Sequence, residues 1–297
     1  MSNMEADAEL LEWAREQDFR SSRQRTIARS VSFSGRSMVD GRLAQVTLHP
    51  GEPYTGLVFK KKGPVGGPEI PVSPANVCRS SIYIALTQTG WRGGAARRFL
   101  RDNAHRPIFR YLEHLLLPLP EPHVALVEHF LAVAYLLVDN LVVEVDGDTP
   151  PYMSFQEYFR PFKEAGIVRQ TAARKLFTVA TNYRCEGKDG QLMEIEPGED
   201  LFVEYSVDFS RKSAAVGKQR CAFLLTPESF IREVSCARSL FLLSWRRFVT
   251  DIYKNVDYSA KNLSAILVAD GDSYLNTGQD APRYLENGVS TEVARHK

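Results

Sequence analysis

Residues 123–145, HVALVEHFLAVAYLLVDNLVVEV, carry the clearest secondary-structure signal in the chain. The apolar density and length of HVALVEHFLAVAYLLV predict a helix, and NLVVEV predicts the strand that follows it. Charged residues interrupt the apolar run, which is also too short to span a bilayer. We therefore expect a helix and a strand of a soluble globular protein here, and not a transmembrane segment.

Short strand-like runs precede this stretch and follow it. Before it, RTIARSVSFSG, GRLAQVTLHP and TGLVFKKK are separated by Gly, Asp and Pro turns and predict an antiparallel start. After it, FQEYFRPFKEAGI predicts a second helix that ends at Gly166. Strands are then predicted in KLFTVATNYRC, QLMEIEP, FVEYSVDFS and SAILVAD, and a further helix in PESFIREVSCARSL, with Pro227 near its first turn.

These elements indicate an α+β protein of two domains. We place the first domain at residues 23–168, with an insertion at about 88–122, and the second domain at residues 169–297. Residues 1–22 are predicted to form an added amphipathic helix, in which apolar side chains lie among glutamates. The insertion holds six arginines against one aspartate in WRGGAARRFLRDNAHRPIFR. This segment fits a solvated helix and loop or, alternatively, phosphate contact by arginine forks.

The bulk composition excludes several classes of protein. A 297-residue chain with 44% hydrophobic and 10% aromatic side chains can bury a large core and is not disordered. Its 37 basic and 36 acidic residues give a net charge of +1, so we expect no nucleic-acid partner and at most peripheral membrane contact. The four cysteines form no C-x-x-C pair, which favours buried thiols in a reducing compartment. Since no secretory signal is present, we expect a cytoplasmic protein.

The histidines are few enough to weigh one by one. We expect four of them, without partners at ligand spacing, to lie at the surface: His49, His105, His114 and His123. His129 differs because VEH places Glu128 beside it on an otherwise apolar helix. Adjacent residues project about 100° apart, so both reach one cleft only at the helix edge or in its first turn. A buried ionised glutamate needs a partner such as a metal-ligating histidine, but an amphipathic helix with a polar margin is the alternative.

A set of short segments gives the pair a context, because their order along the chain is that of a known family. The segments are QRTIARSVSFSG, GRLAQVTLHP, TGLVFKK, VEH, DNLVVEV, EAGI, VDF, FIREVSCARSL, AILVADG and VARHK. In this order they resemble the zinc-dependent UDP-3-O-acyl-N-acetylglucosamine deacetylases of lipid A synthesis, from residue 24 to residue 297. The resemblance implies two domains, each a β-sheet layered against helices, with the active site between them.

The resemblance also implies a chemistry and the residues that carry it. In the family a zinc ion polarises the acetamide carbonyl and supplies water, and a glutamate takes the proton from that water. By resemblance Glu128 is this general base, and His129 and His296 are zinc ligands. Lys297 takes the position of a substrate-binding lysine. Ser239 takes that of a threonine that lines the substrate and the developing oxyanion.

Several positions depart from the family pattern. The family's third zinc ligand is an aspartate four residues after the histidine matched by His296, and the sequence ends one residue after His296, so no third protein ligand is found. The family's GVGLH turn corresponds to GRSMV, in which Val39 replaces a histidine. Its MDGS segment corresponds to YMSF. Arg246 and Arg247 stand where an apolar passage for the acyl chain is expected.

Three hypotheses follow from these observations. The first is a zinc-dependent amide hydrolase that deacetylates an N-acetylated, UDP-linked amino sugar, so that its partner is a small nucleotide sugar. The second is a non-catalytic relative that binds a nucleotide sugar or a protein partner. The third is a fragment with an incomplete metal site, whose remaining part supplies the aspartate. For the first, the ring nitrogens of His129 and His296 must lie within about 5 Å of each other to share zinc.

Overall fold

The computed structural model describes residues 3–17, 19–37, 42–63, 67–79, 84–87, 122–187, 190–235, 237–242 and 266–274. In chain order its first elements are α1 (Asn3–Glu16), β1 (Arg23–Ile27), β2 (Val31–Arg36), β3 (Leu43–Pro50), β4 (Leu57–Lys61), β5 (Glu69–Pro71), a 3-10 turn (Pro74–Asn76), β6 (Val77–Arg79), β7 (Ile84–Thr87), β8 (His123–Ala125), α2 (Glu128–Leu137), β9 (Leu141–Asp146) and α3 (Phe155–Ala165). They are followed by β10 (Ile167–Ala173), β11 (Tyr183–Glu186), β12 (Leu192–Ile195), β13 (Phe202–Asp208), β14 (Lys218–Leu224), α4 (Pro227–Ser229), a π-helical turn (Phe230–Val234), β15 (Ser239–Leu242), β16 (Ile266–Asp270) and β17 (Ser273–Tyr274). This mixture confirms the predicted α+β class. Within these ranges no helix is long and apolar enough to cross a membrane.

The largest sheet has five strands in the order β2-β3-β9-β4-β5. Neighbouring strands are antiparallel except β4 and β9, which run parallel. Side chains along β3 and β9 alternate between buried and more exposed positions, as the two-residue period of a strand requires. Leu48 pairs with Val143 and Val46 with Val145, and all four side chains are buried. One face of the sheet is therefore apolar.

Helices α2 and α3 pack on this apolar face through aromatic rings. Phe130 of α2 meets Phe59 of β4 edge-on, with 5.9 Å between ring centroids. Tyr158 of α3 meets Phe33 of β2 in the same way, also at 5.9 Å. The two helices contact each other through Phe130 and Phe162, whose rings are 6.2 Å apart. Because burial of one such side chain stabilises the fold by about 1.5–3 kcal/mol, this aromatic layer holds both helices on the sheet.

Local sequence determines both ends of α3. The Ser154 hydroxyl accepts from the Glu157 amide, and the Glu157 carboxylate accepts from the Ser154 amide, so two amides at the start of the helix are satisfied. The helix ends at Ala165 because Gly166 has φ 71° and ψ 152°, a conformation that is nearly restricted to glycine. The predicted end at Gly166 is confirmed.

Helix α1 lies against α3 and against the turn that begins at Pro227. Leu10 and Ala14 are one helical turn apart and are buried. Trp13 meets Phe159 of α3 edge-on, with ring centroids 6.4 Å apart. The helix also forms ion pairs with both neighbours, through Glu9 with Lys163 and Arg15 with Glu228. The amphipathic helix predicted within residues 1–22 is therefore present and connects two parts of the fold.

Strand β1 pairs with β10 in a separate antiparallel ladder, and polar side chains connect this ladder to the large sheet. Asn140, which is buried just before β9, accepts from the Gly56 amide at 2.8 Å. Its amide nitrogen donates to Gln24 of β1 at 2.9 Å and to Gln170 of β10 at 2.6 Å. Thr26 of β1 donates to the Asn140 carbonyl at 2.8 Å. A single asparagine thus links three chain segments.

A charged cluster lies beside Asn140. Asp139 accepts from the Arg25 amide at 2.9 Å, and its carboxylate is 3.6 Å from the buried Arg25 guanidinium. The other carboxylate oxygen is 2.7 Å from Arg174, which follows β10. The boundary that we place between residues 168 and 169 lies inside β10, and β10 pairs with a strand of the first predicted domain. The division into two domains stays a prediction.

The described part of residues 174–224 contains two antiparallel hairpins, β11-β12 and β13-β14. Cys185 on β11 is exposed and Cys221 on β14 is half-buried, so the expectation of four buried thiols is wrong for these two, whereas Cys78 is buried. The most exposed of the large apolar side chains of this region are Leu176, Phe177, Tyr183, Leu192, Met193, Leu201 and Phe202. The apolar faces of the hairpins therefore do not contribute to the main core.

Two secondary-structure predictions are corrected by the structure, and one strand was not predicted. Residues 123–125 form β8, which pairs with β7, and the helix starts only at Glu128. The predicted helix in PESFIREVSCARSL is a short helix and a π-helical turn, and Ser239 already begins a strand. Strand β14, for which the sequence analysis made no prediction, pairs with β13 along its whole length. In the first and second cases tertiary pairing overrides a local apolar pattern.

Candidate active site

Glu128 and His129 are the first two residues of α2. Val127 before them is extended, with φ −106° and ψ 107°, so the helix starts directly at the glutamate. Adjacent residues of a helix project about 100° apart, but at this helix end the two side chains still meet, with 3.3 Å between Nε2 and Oε1. A carboxylate at this end is also favoured by the helix dipole.

The two side chains differ sharply in burial. The His129 side chain is fully buried, whereas 59% of the Glu128 side chain is exposed. The expectation of a buried glutamate is therefore wrong, because the first turn of α2 directs this side chain outward. The imidazole belongs to the core, and the carboxylate beside it is accessible to water. A pair of this kind can bind a water molecule or a cation at the boundary between protein and solvent.

A backbone carbonyl determines which nitrogen of His129 carries hydrogen. Nδ1 lies 2.7 Å from the carbonyl oxygen of Met153, and a carbonyl can only accept. Nδ1 is therefore the donor, and in the neutral ring Nε2 carries the lone pair. Histidines that bind metals usually make this type of bond with the nitrogen that does not face the metal.

The second nitrogen of His129 faces the Glu128 carboxylate. With Nδ1 as the donor, a neutral ring brings the Nε2 lone pair within 3.3 Å of a negative oxygen. Two electron-rich atoms at this distance repel each other unless a proton or a metal cation lies beside them. The geometry at the start of α2 therefore suits either a proton or a metal cation beside these two atoms.

Two aromatic rings enclose the imidazole. The ring centroids of Tyr152 and Phe155 lie 5.0 Å and 4.6 Å from that of His129. Both residues belong to YMSF, the segment that corresponds to MDGS in the family. The change in this segment is visible in the sequence, whereas the contacts of Tyr152, Met153 and Phe155 with the histidine are not. The correspondence with a segment near the family's site was the available signal.

The other predicted site residues are less fully described. Ser239 begins β15, where its backbone pairs in parallel with that of Ile266 of β16. The structure describes this backbone but not the Ser239 side chain. His296 and Lys297 lie outside the described residues, as do Val39, Arg246 and Arg247. Among the residues that are described, no three His, Cys, Asp or Glu side chains form a metal-binding group. The approach of His129 and His296 to a shared zinc ion stays a prediction.

Two of the remaining histidines can be located. His49 on β3 contacts the Ser30 hydroxyl through Nδ1 at 3.1 Å and is partly exposed. His123 on β8 is buried, so its predicted surface position is wrong, because β8 pairs with β7 and enters the fold. His105 and His114 lie outside the described residues.

Comparison with known proteins identifies one family. The family model of UDP-3-O-acyl N-acetylglycosamine deacetylase (LpxC) matches residues 110–297, a range that includes the five predicted site residues. The UDP-3-O-acyl-N-acetylglucosamine deacetylase of Nitratidesulfovibrio vulgaris is 30% identical over 223 residues, which are 74% of this chain and 61% of the relative. The protein of the same name from Oleidesulfovibrio alaskensis is 26% identical over 277 residues, 92% of this chain and 76% of the relative.

A third relative gives a similar picture. The UDP-3-O-acyl-N-acetylglucosamine deacetylase of Vibrio vulnificus is 25% identical over 220 residues, 73% of this chain and 62% of the relative. The chain thus spans less than two thirds of the length of two of these three relatives. Since the family model covers more than half of this sequence, the chain belongs to the UDP-3-O-acyl-N-acetylglucosamine deacetylase family.

Proposed function

We propose that this protein is a zinc-dependent deacetylase that hydrolyses the acetamide of an N-acetylated, UDP-linked amino sugar of the lipid A pathway. Family membership supports the reaction class, because the relatives are named as deacetylases of UDP-3-O-acyl-N-acetylglucosamine. The observation that carries the proposal is the pair at the start of α2, in which a buried imidazole presents Nε2 beside a solvent-accessible carboxylate.

Zinc is the cofactor that this pair fits. His129 donates from Nδ1 to a carbonyl, which leaves Nε2 in the form that binds a metal. We propose His129 and His296 as protein ligands, with water and a further donor, not found among the described residues, in the other positions. When bound, zinc would polarise the acetamide carbonyl and make its water more acidic.

Glu128 is the proposed general base. Its carboxylate oxygen lies 3.3 Å from Nε2 and most of the side chain faces solvent, so a water molecule next to the imidazole is within its reach. Ser239 would donate its hydroxyl to the oxyanion that develops on the acetamide. Lys297 would bind the substrate, in the role that the family resemblance implies.

Two substitutions separate the roles of the pair. Glu128→Gln keeps the shape of the side chain but cannot take a proton, so we expect unchanged zinc content and a turnover lowered by about 10²–10⁴-fold. His129→Gln should release zinc, because it removes the imidazole whose Nε2 is the proposed zinc ligand. Zinc content is measured by elemental analysis of the purified chain, and turnover by acetate release from UDP-linked N-acetyl sugars.

Glu52→Gln is the matched control, because Glu52 is an exposed glutamate outside α2. It should leave zinc content and turnover at wild-type levels. Loss of zinc in Glu128→Gln would instead make Glu128 a ligand or a structural support. A wild-type chain that retains no zinc and releases no acetate would exclude the deacetylase.

The alternative is a relative that binds a nucleotide sugar without hydrolysing it. The observation in its favour is the aromatic packing around His129, where Tyr152 and Phe155 occupy the segment that carries an Asp-Gly in the family. Titration with UDP-N-acetylglucosamine separates the two functions. Saturable binding without acetate release, in zinc-supplemented buffer, would select the binding protein.

A further inference from the structure

A short loop, residues 151–153, carries the carbonyl that orients His129. Each of its residues is held by a different part of the fold. The Pro151 carbonyl accepts from the Tyr158 hydroxyl, the Tyr152 amide donates to the Arg36 carbonyl at 2.9 Å, and the Met153 carbonyl accepts from His129. The loop is therefore fixed by α3 on one side and by β2 on the other.

The position of Tyr158 is determined by packing. Its side chain is fully buried, with Phe130 at 5.5 Å and Phe33 at 5.9 Å between ring centroids, both edge-on. Burial raises the pKa of Tyr158 well above its usual value, whereas a hydrogen bond with the Met153 backbone lowers it. The hydroxyl thus stays protonated and donates to the loop. One buried hydroxyl thus holds the backbone at the start of residues 151–153.

Gly35 of β2 allows the loop to come close on the other side. A Cβ at this position would lie 2.9 Å from the Pro151 Cβ and 3.3 Å from the Met153 Sδ. The first distance is shorter than van der Waals contact between carbons. Any side chain here would push the loop away from β2, and the carbonyl of Met153 would move with it.

We propose that Tyr158 and Gly35 are positioning residues that hold residues 151–153 so that the Met153 carbonyl keeps His129 in its Nδ1–H form. If the loop moves away, Nδ1 loses its acceptor and the ring can place its hydrogen on Nε2, where it would donate to Glu128. A hydrogen on Nε2 blocks metal binding by that nitrogen. The consequence for catalysis rests on the proposed function, whereas the effect on the ring form does not.

The first test compares two tyrosine-to-phenylalanine variants of the full chain. Tyr158→Phe removes only the hydroxyl that holds the loop, and Tyr135→Phe is the control, a half-exposed tyrosine of α2. The ring form of His129 is read from ¹⁵N–¹H correlation spectra of histidine-labelled, metal-free protein at pH 8. We expect Nδ1–H in the wild type and in Tyr135→Phe, and an added Nε2–H population in Tyr158→Phe. An unchanged ring form in Tyr158→Phe would overturn the proposal.

The second test moves the loop without touching the tyrosine. Gly35→Ala inserts the Cβ described above, and Gly63→Ala is its control, because nothing lies within 4 Å of a Cβ at Gly63. Gly35→Ala should change the ring form in the same direction as Tyr158→Phe. This variant also keeps the proposal testable if the tyrosine variant fails to fold. Wild-type spectra for Gly35→Ala would contradict the role assigned to the close approach.

Zinc affinity separates this proposal from the function on which part of it rests. In competition with a chelator, Tyr158→Phe and Gly35→Ala should bind zinc about 10–100-fold more weakly than the wild type, as is usual when a partner of a metal ligand is lost. If the variants change the ring form but the wild type binds no zinc, the positioning role of Tyr158 and Gly35 is supported and the proposal of a zinc-dependent deacetylase is refuted. If zinc binding and ring form are both unchanged in the variants, positioning fails and the deacetylase is untouched.

Discussion

Replacing Asn140 by alanine should destabilise the protein more than its small size suggests. The side chain is buried and makes three hydrogen bonds, to the Gly56 amide at 2.8 Å, to Gln24 at 2.9 Å and to Gln170 at 2.6 Å. Each intramolecular hydrogen bond contributes about 0.5–1.5 kcal/mol net, and a buried group left without a partner costs more. The two glutamines keep other partners, at Tyr54 and Gly51. We therefore expect a loss of about 2–4 kcal/mol in the free energy of unfolding.

Equilibrium unfolding in urea, followed by circular dichroism, measures this loss. With a slope of about 2–3 kcal/mol/M, the midpoint should fall by about 1 M. Asn76→Ala is the matched control, because the Asn76 side chain donates a single, exposed hydrogen bond to the Pro71 carbonyl at 2.8 Å. It should cost less than about 1 kcal/mol. An equal effect of the two substitutions would refute the reasoning that Asn140 couples the β1-β10 ladder to the large sheet.

Three further predictions concern other parts of the fold. Ala14→Asp places an unpaired charge in the core beneath α1, so the helix should detach and become sensitive to limited proteolysis near the N-terminus. Gly166→Ala forces a side chain into a backbone conformation at φ 71° and ψ 152° and should lower the free energy of unfolding by about 1–3 kcal/mol in urea titrations. Hydrogen bonds from Ser210 and Lys218 lower the pKa of Asp208 from 3.8 to about 2, so its contribution to stability, present above pH 3.8, is lost as the pH falls through about 2. The difference in urea midpoint between the wild type and Asp208→Asn should therefore shrink over this range.

Elements with a clear period were predictable from sequence. The alternation in β3 and β9 and the end of α3 at Gly166 appear where the pattern places them. Residues 123–127 were not predictable, because a continuous apolar run does not distinguish a buried strand from a helix. The pairing of β8 with β7, which is distant along the chain and sets Leu86 opposite Val124, makes β8 a strand.

Some features of the candidate site were likewise predictable from the sequence, and others were not. The motif VEH identified Glu128 and His129 because an acidic residue and a histidine are unusual on an apolar helix. The contact between Met153 and His129 could not be predicted, since a backbone carbonyl is present in every residue and leaves no trace in the sequence. The close approach of Gly35 to residues 151–153 could not be predicted either, because it depends on how β2 and a distant loop meet in space.

The position of α1 has a practical consequence for work on this protein. A shortened version that began at residue 24, where the resemblance to the family starts, would lack Leu10, Ala14 and Trp13, and would expose Phe159 and the neighbouring turn to water. Phe155 and Phe159 both pack against Phe230 of that turn, and Phe155 also packs against the imidazole of His129. If such a shortened protein were inactive, the cause could be solvent exposure of the aromatic packing next to the His129 imidazole. Its inactivity would therefore not test the role of Glu128.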